Sequence, residues 1–114
     1  MNKINIPEKH IENAILKYLA MRGIFAFKVR TMGVFDQKLG RFRKSSPLYR
    51  KGVSDILGIY NGRFMAIEVK SAKGRLSDEQ KTFLASVREL KGIGFVARSI
   101  EDVEASLKHW DKTS

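Results

Sequence analysis

The chain has 114 residues with 22 Lys and Arg against 12 Asp and Glu, giving a net charge of +10 and a pI near 10.1. Such an excess points to a polyanionic partner, nucleic acid first and an anionic membrane second. There is no cysteine, which excludes disulfide and thiolate-metal chemistry, and two histidines, His10 and His109, do not make a zinc site.

At this length residues 1–114 are expected to form one domain, near the size at which a partner subunit helps stability. No run of about 18 apolar residues occurs, and the first residues lack a signal-peptide pattern, so a soluble, cytoplasmic protein is expected. A membrane-surface role would require a basic amphipathic helix with Trp, Phe or Leu opposite its lysines, and none is found.

Asn5, Ile6 and Pro7 open a helix, because proline near the first helical position loses no hydrogen bond. Ile11, Ala14, Ile15, Tyr18 and Leu19 recur at helical spacing and form its buried stripe, and Gly23 ends it. Glu8 and Glu12 sit one turn apart. Favourable interaction with the helix dipole explains them without any further role.

Residues 24–30 are β-forming and predict a first strand beside the hairpin that follows. From 31 to 51 the pattern changes to glycines at 33 and 40, Pro47, and six cations, Lys38, Arg41, Arg43, Lys44, Arg50 and Lys51, against the single acid Asp36. Short strands around 34–35 and 41–43 would make a small hairpin there. The cations suit phosphates. The interleaved Phe35, Phe42 and Tyr49 suit unpaired bases, a second subunit, or simple anchoring of the loop to the core.

Asn61 and Gly62 supply the two positive-φ residues of a type I′ turn, so residues 52–70 predict an antiparallel hairpin. With a two-residue loop, Tyr60 faces Arg63, and counting outward sets Asp55 opposite Glu68. Directly opposed side chains have Cβ atoms roughly 4.5–5.5 Å apart, so the two carboxylates repel unless they share a cation or a proton. Alternation puts Lys70 on the face of Glu68, with Ile67 and Val69 on the other. Carboxylate oxygens are hard ligands that suit Mg²⁺ or Mn²⁺. With an adjacent lysine, such a site serves phosphodiester hydrolysis. A lone Glu-Xaa-Lys is a weak signal, and the opposed aspartate is what strengthens it.

Lys73 and Arg75 extend the basic surface. Ser77 and Gln80 then form a capping box at the start of a helix whose apolar face is Phe83, Leu84, Val87 and Leu90, closed by Gly92. The cap accounts fully for Gln80. Residues 93–97 read as a buried strand, parallel to the one ending at Lys70 because a strand, helix, strand connection crosses over right-handed. Ser99 caps a last helix carrying Ile100, Val103, Leu107 and Trp110, with Glu101, Asp102 and Glu104 complementing its dipole. The order α-β-β-β-α-β-α describes an α/β fold, a mixed sheet flanked by helices.

The sequence G-V-S-D at 52–55, E-V-K at 68–70 and G-R-L-S-D-E-Q at 74–80 closely resembles the VRR-NUC domains of the PD-(D/E)XK nuclease superfamily. The resemblance covers nearly the whole chain and implies a restriction-endonuclease-like fold. It implies Asp55 and Glu68 as metal ligands, the Val69 backbone carbonyl as a third, Lys70 serving the attacking water and Gln80 supporting the site. It also favours a first-helix glutamate reaching the metal, Glu8 or alternatively Glu12. Ser54 departs from the family, which usually has proline there; little effect on metal binding is expected.

The function expected is a metal-dependent, structure-selective DNA endonuclease, by resemblance to standalone VRR-NUC proteins a homodimeric Holliday-junction-resolvase-like enzyme. The alternatives are a nuclease selective for flaps, ends or duplex DNA, and a nucleic-acid-binding subunit that kept the fold without activity.

Overall fold

The computed structural model describes residues 5–29, 35, 36, 38, 40–42 and 51–111. Its elements in chain order are α1 (Glu8–Met21), β1 (Phe25–Lys28), β2 (Phe35–Asp36), β3 (Arg41–Phe42), β4 (Ile56–Tyr60), β5 (Arg63–Val69), α2 (Asp78–Glu89), β6 (Ile93–Ala97) and α3 (Ile100–Lys108). Strands β2 and β3 pair only with each other, as the small hairpin expected within the basic loop. The main sheet runs β1-β4-β5-β6, antiparallel except for the parallel β5–β6 pair. This is the mixed sheet of a restriction-endonuclease-like fold, in the order α-β-β-β-α-β-α once the small hairpin is set aside.

The turn at Asn61 and Gly62 has φ values of 52° and 79°, as a type I′ turn requires. It fixes the register from Tyr60↔Arg63 to Ile56↔Ile67. One face of the sheet then presents Ile56, Met65, Ile67, Val69 and Ile93 to Ile11, Ile15 and Leu19 of α1 and to Val103 and Leu107 of α3. The other face presents Ala66 to Leu84 and Val87 of α2, with Leu57 and Val96 at the margin.

Both long helices end in Schellman turns. At α1 the left-handed residue is Gly23, φ 68°, whose N–H bonds the Ala20 carbonyl at 3.0 Å while Ile24 bonds Leu19 at 2.9 Å. At α2 the sequence suggested Gly92, but the positive φ of 73° falls on Lys91. Gly92 is required for space instead: a Cβ there would lie 2.8 Å from Val87 Cγ1 and 2.9 Å from the Phe64 carbonyl. The helix therefore stops one residue earlier than expected, and Leu90, assigned to its buried stripe, stands exposed.

Candidate active site

The hairpin register carries one position beyond β4 and sets Asp55 opposite Glu68. Two backbone contacts fix Asp55: its carbonyl accepts the Val29 N–H at 2.8 Å, and its Oδ2 accepts the Val69 N–H at 2.9 Å. Glu68 shares a face with Ala66, beneath the N-terminal end of α2, and is 1% exposed. Its carboxyl group is within hydrogen-bonding reach of Asp55, yet Oε1 has no hydrogen-bond partner among the described residues. Burial pushes its pKa up to about 9, the Asp55 hydrogen bond and charge add to this, and Lys70 opposes it. Lys70 thus acts on the glutamate it was expected to adjoin.

The first-helix glutamates differ. Glu12 is buried and its Oε1 lies 3.6 Å from Lys28 Nζ, an ionic contact too long for a hydrogen bond. Burial raises its pKa; Lys28 works against this, while Asp55 and Glu8 add to it. Glu8, half-buried in the first turn, also raises the pKa of Glu68. Glu8 acts on Glu68 through its charge, Glu12 feels the charge of Asp55, and neither completes a group of three. Among the described residues no three of His, Cys, Asp and Glu are gathered closely enough to hold a metal.

The segment leading into Asp55 is seated on the start of α2. Gly52 has φ 76°, and a Cβ there would meet the Glu79 carbonyl carbon and oxygen at 2.3 Å. Only glycine permits both the turn and the approach. Ser54 follows, fully buried with no hydrogen bond to its hydroxyl among the described residues. The capping box forms: Gln80 N–H donates to Ser77 Oγ at 3.1 Å, and Ser77 N–H donates to Gln80 Oε1 at 2.9 Å. The side-chain oxygen of Gln80 is therefore committed to the helix cap, and its amide nitrogen is what remains for an active-site role.

After Lys70 the chain turns through residues 71–74, and Arg98 clamps this turn. Its guanidinium donates to the Ser71 carbonyl and, at 2.8 Å, to the Gly74 carbonyl, while its own N–H bonds Asp102 Oδ2 at 2.8 Å. Lys51, Lys73 and Arg75 are exposed, as is Lys38. For Arg41 the backbone alone is described, and Arg43, Lys44 and Arg50 lie outside the described residues, as does Tyr49. Sequence reasoning missed Lys28 and Arg98, and took Gly52 as part of the G-V-S-D motif without its steric role. For Gly52 a signal existed, a glycine just ahead of the aspartate; for Lys28 and Arg98 there was none, since their contacts are made by the tertiary fold.

The donor set fits a hard divalent cation. Two opposed carboxyl groups, one with an unpartnered buried oxygen and a pKa held high by burial and by its neighbour, form a site whose charge a cation would balance. The Asp55 and Glu68 carboxylates and the Val69 carbonyl would hold it.

A mixed sheet flanked by helices, with opposed carboxyl groups and a lysine at the end of its central hairpin, is a restriction-endonuclease-like architecture. Residues 37–100, more than half of the chain, match the VRR-NUC domain, and the chain belongs to that family. The match spans Asp55, Glu68, Lys70 and Gln80 but not α1. The chain is also 28% identical over 98 residues to the Holliday junction resolvase RecU of Mycoplasmopsis pulmonis, covering 78% of this chain and 62% of that protein. It thus spans less than two thirds of the length of that relative. No solved structure matches.

Proposed function

We propose that this nuclease is a Mg²⁺- or Mn²⁺-dependent, structure-selective DNA endonuclease, acting as a homodimer on branched DNA in the manner of a Holliday junction resolvase. The observation that carries the metal-dependent chemistry is the Asp55–Glu68 pair, in which Glu68 is buried with an unpartnered oxygen beside Lys70. The preference for junctions is supported by the likeness to a protein named as a Holliday junction resolvase. A two-fold pair of sites also suits a nearly symmetric four-way junction.

The reaction is attack of water on phosphorus with cleavage of the P–O3′ bond, leaving a 5′-phosphate and a 3′-hydroxyl. The bound ion would polarise the phosphoryl oxygen, lower the pKa of a coordinated water and stabilise charge on the leaving oxygen. Asp55 and Glu68 would hold the ion, with the Val69 N–H fixing the orientation of Asp55. Lys70 orients the attacking water and stabilises charge on the phosphate. Gln80 supports the site through its free amide nitrogen, and Glu8 or Glu12 adds negative charge from the first helix. Lys38, Arg41, Arg43, Lys44, Arg50, Lys51, Lys73 and Arg75 contact the DNA backbone, a sequence-independent and salt-sensitive interaction. Residues 1–114 act as one nuclease domain. Among the described residues no helix is long and apolar enough to cross a membrane.

Strand-labelled four-way junction, flap and linear duplex, each incubated with the protein and Mg²⁺, test the substrate class. Paired cuts placed symmetrically about the junction are expected. Cutting of flap or duplex in their place would retain the nuclease site and discard the resolvase assignment; binding of all three without cutting would mark a non-catalytic subunit.

A further inference from the structure

The sheet face that carries Glu68 and Ala66 is only half covered. Helix α2 packs over β5 and β6 through Leu84 and Val87, with Leu57 of β4 at its margin, and among the described residues no helix covers the rest of the part built by β1 and β4. Cross-strand partners share a face, so the register Phe25↔Ile59 and Ile59↔Phe64 makes one row of three apolar side chains across β1, β4 and β5. Phe27 lies in the next row, its ring edge-on to Phe25 with centroids 6.0 Å apart. Leu90 borders the same strip, lining a shallow cleft with Phe64.

These five residues are exposed by 66% (Phe25), 48% (Phe27), 53% (Ile59), 47% (Phe64) and 81% (Leu90). Side chains of this size present roughly 150–250 Å² each, so the strip offers roughly 440–740 Å² of apolar surface. That lies in the upper half of the range ordinary for a monomer's largest patch, or above it. A standard interface buries about 800 Å² per partner, a little over half to two thirds of it apolar, so the strip alone supplies the apolar part of one.

We propose that this strip is the surface on which a second copy of this chain docks. This rests on the homodimeric reading above and gives the dimer its interface. Within the strip Phe25, Phe27, Leu57, Ile59, Phe64 and Ala66 carry no charge; Glu68 follows Ala66 on the same face, and Arg63 and Lys91 line the cleft at Phe64 and Leu90. In a chain of net charge +10, an uncharged patch is where two copies approach with least repulsion. A single-stranded nucleic acid platform would instead interleave cations with its aromatics, and Ile59 and Leu90 have no ring on which a base could stack. One strip meeting its own copy about a two-fold axis is self-complementary. Ile59, in the central row, is four residues from Asp55, about 13 Å along the strand, whereas the Phe27–Leu57 row is two residues from it, so the carboxylate row borders the strip at its edge and lies outside its centre.

The test is sedimentation equilibrium of the full chain across a concentration series, with Ile59→Lys and Phe64→Lys, alongside hydroxyl-radical footprinting of the unmodified protein with and without DNA. A dimer is expected that either substitution weakens at least about tenfold with unchanged circular dichroism, and Phe25, Ile59 and Phe64 should become protected as concentration rises. A dimer that both variants retain would overturn the assignment of this surface, and paired junction cutting would still judge the resolvase reading separately. A chain that stays monomeric, or a strip protected only when DNA is added, would overturn the inference outright. Should the variants misfold, the footprint of the unmodified chain decides.

Discussion

Asp55 stands one residue ahead of β4 and Val69 ends β5, and the Val69 N–H donates to Asp55 Oδ2 at 2.9 Å. The strand that carries one proposed metal ligand, Glu68, therefore also fixes the side chain of the other. The pair is preorganised by the hairpin itself, so the site is as rigid as the β4–β5 ladder. A one-residue slip in that ladder would turn Glu68 to the opposite face and dismantle the site.

The stability of the metal-free protein will fall as pH rises. Glu68 keeps its proton to about pH 9 in the native state, whereas an unfolded glutamate releases it near 4.5. Between those values the native state binds more protons than the unfolded one, so Glu68 contributes fully below about 4.5 and its contribution is lost as pH passes about 9. Thermal melts in chelator across this window should show the decline, and Glu68→Gln should flatten it. Added Mn²⁺ should raise the melting temperature most at the alkaline end, where the carboxylate is most readily ionised.

Arg98→Ala will slow cleavage roughly tenfold while leaving metal affinity near that of the parent, because the clamp on Ser71 and Gly74 positions the turn after Lys70 rather than the carboxylates. Single-turnover rates beside calorimetric Mn²⁺ titrations separate the two effects. Equal losses in both would place Arg98 in the support of the whole site.

Gly52→Ala will destabilise the protein by more than about 1 kcal/mol, since it meets both a left-handed backbone and the Glu79 carbonyl at 2.3 Å. Denaturant titration reads the loss. Nuclease activity should fall further than stability alone explains, because relief of the clash moves Asp55.

Lys91→Gly will stabilise the protein by about 0.5–1 kcal/mol, as it removes a side chain from a residue held at φ 73°. The shift in melting temperature measures it, and cleavage should be unaffected because Lys91 lies at the opposite end of β5 from Glu68.

The hairpin was the most legible part of the sequence. Asn61 and Gly62 dictate a turn type, the turn dictates a register, and the register places Asp55 against Glu68 without reference to any other part of the chain. Both helix caps at Ser77 and Ser99, and the parallel strand β6, followed from equally local rules. Leu90 and Gly92 were misjudged because glycine is the usual left-handed residue at a helix end, and here tertiary crowding by Val87 and Phe64 claims Gly92 for a different purpose while Lys91 takes the left-handed position. The Glu12–Lys28 contact joins a helix to the edge strand, and no sequence pattern encodes such a meeting. The open face of β1 and β4 was hidden for the same reason: the period of two says that Phe25, Phe27 and Ile59 share a face but not whether a helix covers it.

The most direct test of the catalytic assignment is single-turnover cleavage of a labelled four-way junction in Mg²⁺ by the parent chain, Asp55→Asn and Glu68→Gln, at protein concentrations where filter binding shows all three saturated with DNA. Both variants are expected to bind like the parent and to lose cleavage, by at least about a thousandfold. Parental cleavage by Glu68→Gln would contradict the account, because the Asp55–Glu68 pair could not then be the metal-holding centre.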